Sequence, residues 1–192
     1  MADGIKNVML IEVADSPLTA SGESMPWLPG GPLPAALVTG HKAIDFEHRQ
    51  LLACMTAARS VCMDFRSFSD CGNCIEARRA LCDNELVRLL GDLLSFILEH
   101  FKTEEEIMRD SLLMMVDRDV CEAHMEDHAA ISAKIQQIVA GLDSMRTVGL
   151  LRDLDNLLGQ WINNHITMHD LILARWVSRE DSVVSLARLS SV

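Results

Sequence analysis

An all-α fold, with four amphipathic helices packed as a bundle in one domain, is predicted by three features of the sequence. Apolar residues recur every three or four positions in four separate stretches, the period of a helix with one buried face. No stretch alternates with period two for long enough to form a sheet. Each apolar stripe also runs into an imidazole, and two of them into a carboxylate as well. A bundle core is where side chains from four such stripes can meet. With 192 residues, 49% of them hydrophobic, the chain is long and apolar enough to bury a single core.

Residues 1–36 combine the short apolar run Val8-Met9-Leu10-Ile11 with Gly/Pro-rich segments and read as an irregular N-terminal arm. A first helix is expected to begin near Asp45, with Ile44, His48, Leu51, Met55, Ala58 and Cys62 on its inner face. Clustered Ser, Asp and Gly predict a loop over 65–73. The second helix starts near Ile75 or Asp83 and ends near Arg109. Its stripe of Leu86, Leu89, Leu90, Leu93 and Ile97 continues into His100 and Glu104. The third carries Val120, His124, His128, Ile131, Ile135 and Ile138 on one face, and Gly141 fits its end. The fourth carries Leu151, Leu154, Leu158, Trp161, His165, Met168 and Ile172. Asp170 lies five residues after His165, about 140° away on an ideal helix, so the pair converges only if the backbone bends or frays there. Residues 177–192 form a C-terminal tail.

The stripes thus bring His48, His100, Glu104, His124, His128, His165 and Asp170 toward one core. Singly these motifs carry little: with seven histidines, about 0.2 of a pair spaced four apart arises by chance. A lone inward histidine is more often bonded to a backbone carbonyl, and an isolated His-x3-Glu pair is usually a surface pair. Five imidazoles and two carboxylates in one small core, however, do not readily satisfy one another without a cation. Seven ligands are too many for one tetrahedral zinc, whereas two metals roughly 3.5 to 4 Å apart can share bridging carboxylates. Two octahedral metals bridged by both carboxylates and one solvent oxygen leave one of about twelve positions open. If three imidazoles bind one metal and two the other, the second metal has the vacancy. A histidine-rich set favours ferrous ions more than a set of four carboxylates does. Phe101, Trp161 and Ile166 adjoin the motifs and are expected to wall the pocket against bulk water. Reversible binding of a small ligand fits this set better than turnover.

The formal charge of −11 disfavours nucleic acid and anionic membrane surfaces as partners. No apolar run reaches the roughly 18 residues a membrane span requires, and the N-terminus lacks the pattern of a signal peptide, so a cytoplasmic location is expected. Six cysteines in that setting are expected to be thiols, metal ligands or redox groups. Four of them, Cys62, Cys71, Cys74 and Cys82, fall between the first two helices. They are a candidate second metal site, for zinc, or a thiol redox switch. Unpaired, partly buried thiols are the simplest reading.

The stretch Leu37-Val38-Thr39-Gly40-His41-Lys42-Ala43-Ile44-Asp45-Phe46-Glu47-His48 resembles the entry to the first helix of the hemerythrins, particularly the bacteriohemerythrins. His100-Phe101-x2-Glu104-Glu105, His124-x3-His128 and Trp161-Ile162-x2-His165-Ile166-x3-Asp170 are similar to the family's remaining motifs, in order. The resemblance implies an up-down-up-down four-helix bundle over residues 37–176 around a non-haem di-iron site with a bridging oxo or hydroxo group. It implies His124, His128 and His165 on the saturated iron, His48 and His100 on the iron with the open position, and Glu104 and Asp170 as bridges. It accommodates the five-residue spacing to Asp170. The implied function is reversible dioxygen binding for storage, delivery or sensing, in the last case with a signalling or oxygen-consuming protein partner. The alternatives are a redox or nitric oxide sensor and a di-iron enzyme with peroxidase or nitric oxide scavenging activity. Two departures from the family are the arm before residue 37 and the Cys-rich insertion at about 62–82.

Overall fold

In the computed structural model, residues 32–179 are described, and their regular structure is entirely helical. The expected arm lies outside the described residues up to 31, as does the expected tail from 180 onward. After a 3₁₀ turn, Ala35–Leu37, the chain enters helix α1 (Lys42–Val61) through a turn fastened by Asp45. Thr39 N–H and Oγ1–H both donate to Asp45 Oδ1 at 2.7 Å, and Gly40 N–H donates to Oδ2 at 3.2 Å. Gly40 has φ of +83°, a left-handed conformation that glycine adopts without a Cβ penalty. The buried face of α1 is Ile44, His48, Leu51, Cys54, Ala58 and Val61. Met55 and Cys62, expected inside, are only half-buried. An α-helical face can step by three or by four, and here the packing takes the earlier residue.

The loop over 62–75 leads to α2 (Glu76–Asp110), whose buried residues from Leu86 to Glu104 follow the expected stripe. Leu112, at φ 59°, turns the chain into a short α3 (Leu113–Val116) that the periodicity did not predict. Helix α4 (Arg118–Ala140) is capped by Asp117, whose side chain accepts Val120 N–H at 3.3 Å, and it ends at Gly141. Its stripe begins at buried Cys121 rather than at half-buried Val120. Helix α5 (Thr147–Gln160) passes without interruption into a π-helical segment, Trp161–Asp170, and α-helix resumes over 171–179. The π segment overturns the expected fourth stripe. Met168 and Ile172 are 63% and 43% exposed, while Ile166, Asp170, Leu173 and Ala174 turn inward.

Helix α1 packs on α2 and α5, and α4 packs on the same two, so the four long helices surround a common interior. That interior holds two apolar clusters. The larger includes Leu51, Leu90, Leu93, Ile135, Leu154 and Trp161, and the smaller includes Ile44, Met108, Leu113, Cys121 and Leu173. Burying each such side chain contributes about 1.5–3 kcal/mol. On every long helix the predicted imidazoles and carboxylates fall between residues of the two clusters, as a polar layer inside an apolar core. No helix among the described residues is long and apolar enough to cross a membrane.

Candidate metal centre

All seven predicted polar side chains are buried, with His48, Glu104 and Asp170 wholly inaccessible. They converge as two overlapping groups whose ligand atoms lie within 4.8 Å of one another: Glu104, His124, His128 and His165, and His48, His100, Glu104 and Asp170. Glu104 divides its oxygens between them. Its Oε2 lies 3.0 Å from His128 Nε2, 3.2 Å from His124 Nε2 and 3.5 Å from His165 Nε2, while Oε1 lies 3.8 Å from His100 Nε2. Asp170 does the same. Its Oδ2 is 2.9 Å from His48 Nε2, and its Oδ1 is 3.1 Å from His165 Nε2 and 3.4 Å from His124 Nε2.

Helix α2 reaches the layer by ordinary means, since His100 and Glu104 are four residues apart on one α-helical face. His165 and Asp170 need the π segment. There Leu171 N–H donates to the carbonyl of Ile166, five residues back. Closing the ring at five returns residue i+5 toward the face of residue i, which is why this spacing works here and not in an α-helix.

The donor set fits a cation. His100 Nε2 and Glu104 Oε1 are buried with no hydrogen-bond partner, although an unsatisfied buried polar atom costs about 1–3 kcal/mol. His124 Nε2 and His165 Nε2 face one another at 3.3 Å, an arrangement that uses at most one proton between two nitrogens. Burial alone would push the Glu104 carboxyl up, but His100 and the hydrogen bonds from His124, His128 and His165 hold it well below its ordinary value. Burial and the Glu104 charge oppose ionisation of Asp170, and hydrogen bonds from His124, His165 and His48 override them and depress it. Burial opposes protonation of His165, yet hydrogen bonds to Asp170 and Glu104 raise it to about 10. His100 is raised against burial by Glu104 and Glu47, whereas burial prevails at His128 and lowers it. The two buried carboxylates are therefore held ionised, as positive charge at the centre requires.

Outer contacts turn the rings. His48 Nδ1–H donates to the Leu37 carbonyl at 3.1 Å and His100 Nδ1–H to Glu47 Oε2 at 3.0 Å. His165 Nδ1–H donates to Asp127 Oδ2 at 2.8 Å and His128 Nδ1–H to Glu105 Oε1 at 3.3 Å. Occupying Nδ1 leaves Nε2 to face the centre and fixes the ring's orientation. Sequence reasoning missed these acceptors, because each lies across a helix pair or loop from its histidine. A usable signal was present: Glu47, Glu105 and Asp127 each stand next to a member of the inner set.

Phe101, Trp161 and Ile166 are all buried. Phe101 stacks on His128 at 3.8 Å between ring centres, and Trp161 lies 5.6 Å from His100. Phe96, a wall residue not singled out from sequence, stacks on His100 at 5.6 Å. Of the two remaining histidines, His41 is half-buried at the start of α1, and His169 stacks on His124 at 4.9 Å.

The cysteines behave differently. All six are free thiols. Cys62, Cys71, Cys74 and Cys82 line one cavity of about 280 Å³ between the 62–75 loop and the start of α2. Among the described residues no cysteine belongs to the groups whose ligand atoms converge within 4.8 Å, so the candidate zinc site gains no support from the arrangement of the sulfurs, and unpaired thiols remain the simplest reading.

A helical fold whose buried layer holds two overlapping sets of imidazole and carboxylate groups defines a cation-binding helical protein. Residues 39–177 match the profile of the hemerythrin HHE cation binding domain, and the chain belongs to that family. Membership implies iron as the bound cation. Neither the curated proteins nor the solved structures give a significant match.

Proposed function

We propose that this chain binds dioxygen reversibly at a non-haem di-iron centre, for oxygen storage, delivery or sensing, within an up-down-up-down four-helix bundle. The division of Glu104 and Asp170 between a three-histidine group and a two-histidine group carries this reading. His124, His128 and His165 would hold one iron, His48 and His100 the other, and both carboxylates, with an oxo or hydroxo group, would bridge them. When bound, the iron pair supplies the electrons and the open position that reversible dioxygen binding needs. The chain's own residues do the rest. The smaller number of imidazoles on the His48 and His100 side would leave the open position there. Phe96, Phe101 and Trp161 surround the His100 ring with apolar surface, which excludes bulk water and strengthens local electrostatics. Glu47 and the Leu37 carbonyl hold the two imidazoles on that side by their outer nitrogens.

The test is the absorption spectrum of the anaerobically reduced, iron-loaded protein before oxygen, with oxygen, and after its removal. Charge-transfer bands that develop with oxygen and vanish on its removal are expected. Bands that persist, or turnover with peroxide or nitric oxide, would replace this reading with an enzymatic or redox-sensing one.

A further inference from the structure

The cysteine cavity has no part in the polar layer, yet its walls are deliberately fastened. Arg152, on α5, donates through Nε to the Phe65 carbonyl at 2.8 Å and through its terminal nitrogen to the carbonyls of Phe68 and Ser69. Asp155, one turn further along α5, binds Arg66 of the loop at 2.7 Å and Arg59 of α1 at 2.6 Å. Arg79 donates to the Cys74 carbonyl at 2.6 Å. Four free thiols are thereby held around one cavity rather than scattered along a loose loop.

Two of the thiols are linked through one peptide unit. The Cys82 thiol donates to the Val61 carbonyl at 3.4 Å. That oxygen belongs to the peptide unit joining Val61 to Cys62, so the Cys82 sulfur lies within about 6 Å of the Cys62 Cα, on standard backbone dimensions. A disulfide needs the two Cα atoms about 4.4–6.8 Å apart, so closing the bond takes a turn of the Cys62 side chain together with an inward shift of the end of α1 toward α2. Arg78 donates to the same carbonyl at 3.4 Å and brings a positive charge to the pair. Burial raises the Cys82 thiol, Arg78 opposes that rise, and the neighbouring Cys62 adds to it. Cys62 is the more exposed partner, half-buried and lining the cavity, whereas Cys82 is buried.

We propose that Cys62 and Cys82 form a dithiol oxidised by hydrogen peroxide, closing to a disulfide that ties the end of α1 to the first turns of α2. The Cys62 thiolate attacks one peroxide oxygen and the O–O bond breaks. Hydroxide leaves and takes up the thiol proton as water, and Cys62 becomes a sulfenic acid. The Cys82 sulfur then displaces the sulfenic hydroxyl, which departs with the Cys82 proton as a second water. The two sulfurs lose two electrons and the peroxide gains them. Helices α1 and α2 carry His48 and His100, so the bond would link the two helices that serve the two-histidine side. The site itself does not depend on dioxygen binding, and its test counts thiols rather than iron.

Trypsin separates the candidates: Cys62 falls in peptide 60–66, Cys71 and Cys74 in 67–78, and Cys82 in 80–88. The full chain is treated with equimolar hydrogen peroxide, its remaining thiols are alkylated under denaturing conditions, and the digest is read by mass spectrometry. A dithiothreitol-reversible link between 60–66 and 80–88 is expected, with free thiols falling from six to four. Cys54 and Cys121, buried away from the cavity, should stay alkylatable as internal controls. Cys62→Ser should abolish the link and Cys71→Ser should leave it. A dominant link involving 67–78, oxidation to sulfinic acid without any link, or a tightly held zinc ion shielding all four thiols would overturn the proposal. The wild-type map alone decides between these outcomes if a variant fails to fold.

Discussion

Helix α2 and the last helix each deliver one imidazole and one carboxylate to the buried layer, and they do so with different backbones. Helix α2 uses a glutamate four residues after its histidine and stays α-helical throughout. The last helix uses an aspartate five residues after its histidine and becomes a π-helix over Trp161–Asp170. Aspartate is one methylene shorter, by roughly 1.5 Å, so its backbone must stand nearer the centre. Side-chain length and hydrogen-bond register thus act as one variable: a long arm on a narrow helix and a short arm on a wide one reach the same layer.

Removing either arm should have the largest effect. Glu104→Ala takes away a carboxylate that belongs to both converging groups, and iron content is expected to fall from the proposed two per chain to one or fewer, read by metal analysis after desalting. Asp170→Ala should do the same, and full loading of either variant would refute the shared-bridge assignment. Deleting Met168, which is 63% exposed, should convert the π segment to α-helix while keeping Leu173 and Ala174 inside. The shorter aspartate would then fall short, lowering iron loading, and adding Asp170→Glu should recover part of it by copying α2. Unchanged loading in the deletion alone would break the comparison.

A smaller effect is expected one contact further out. Glu47→Ala frees the His100 ring and Asp127→Ala frees the His165 ring, and each should cost about 10–100-fold in metal affinity, measured by competition with a chelator. Near-equal losses would mean that the two helices depend alike on their outer acceptors. The smallest effect belongs to the regular part of the last helix. Burial favours the neutral form of Asp155, but the hydrogen bonds and charges of Arg59 and Arg66 prevail and lower it. Because both arginines are substantially exposed, Asp155→Asn should cost only about 1 kcal/mol at neutral pH. A lowered carboxyl stabilises the fold above its unfolded value of about 3.9 and loses that contribution as pH falls through the folded value. The difference between wild type and variant should therefore shrink in acid, with iron loading unaffected, as followed by urea unfolding.

The sequence carried the phase of α2, of α1 and α4 to within one residue, and of the last helix as far as His165, because apolar spacing reports which face is buried. It also carried six of the seven inner side chains, since each of those continues such a stripe, while Asp170 was marked by its spacing to His165. Beyond His165, a constant α-helical turn would put Met168 and Ile172 inside. One-dimensional spacing cannot reveal that a backbone changes its hydrogen-bond register, although the awkward interval to Asp170 marked the place. Glu47, Glu105 and Asp127 escaped for another reason: their partners lie on other helices, and such pairings exist only after packing. The short α3 follows from the left-handed turn at Leu112, a conformation no apolar period encodes.

His48 is oriented not by a side chain but by the main-chain carbonyl of Leu37, five residues before α1 begins. The segment leading into the bundle is therefore a working part of the site. A chain trimmed to start at Lys42 would keep every imidazole and carboxylate of the layer, yet its His48 ring would be free to swivel. It would also lose the Thr39 and Gly40 clasp on Asp45 that holds the lead-in against the helix. For anyone transplanting this fold or grafting its site onto another scaffold, the smallest portable unit begins before its first helix.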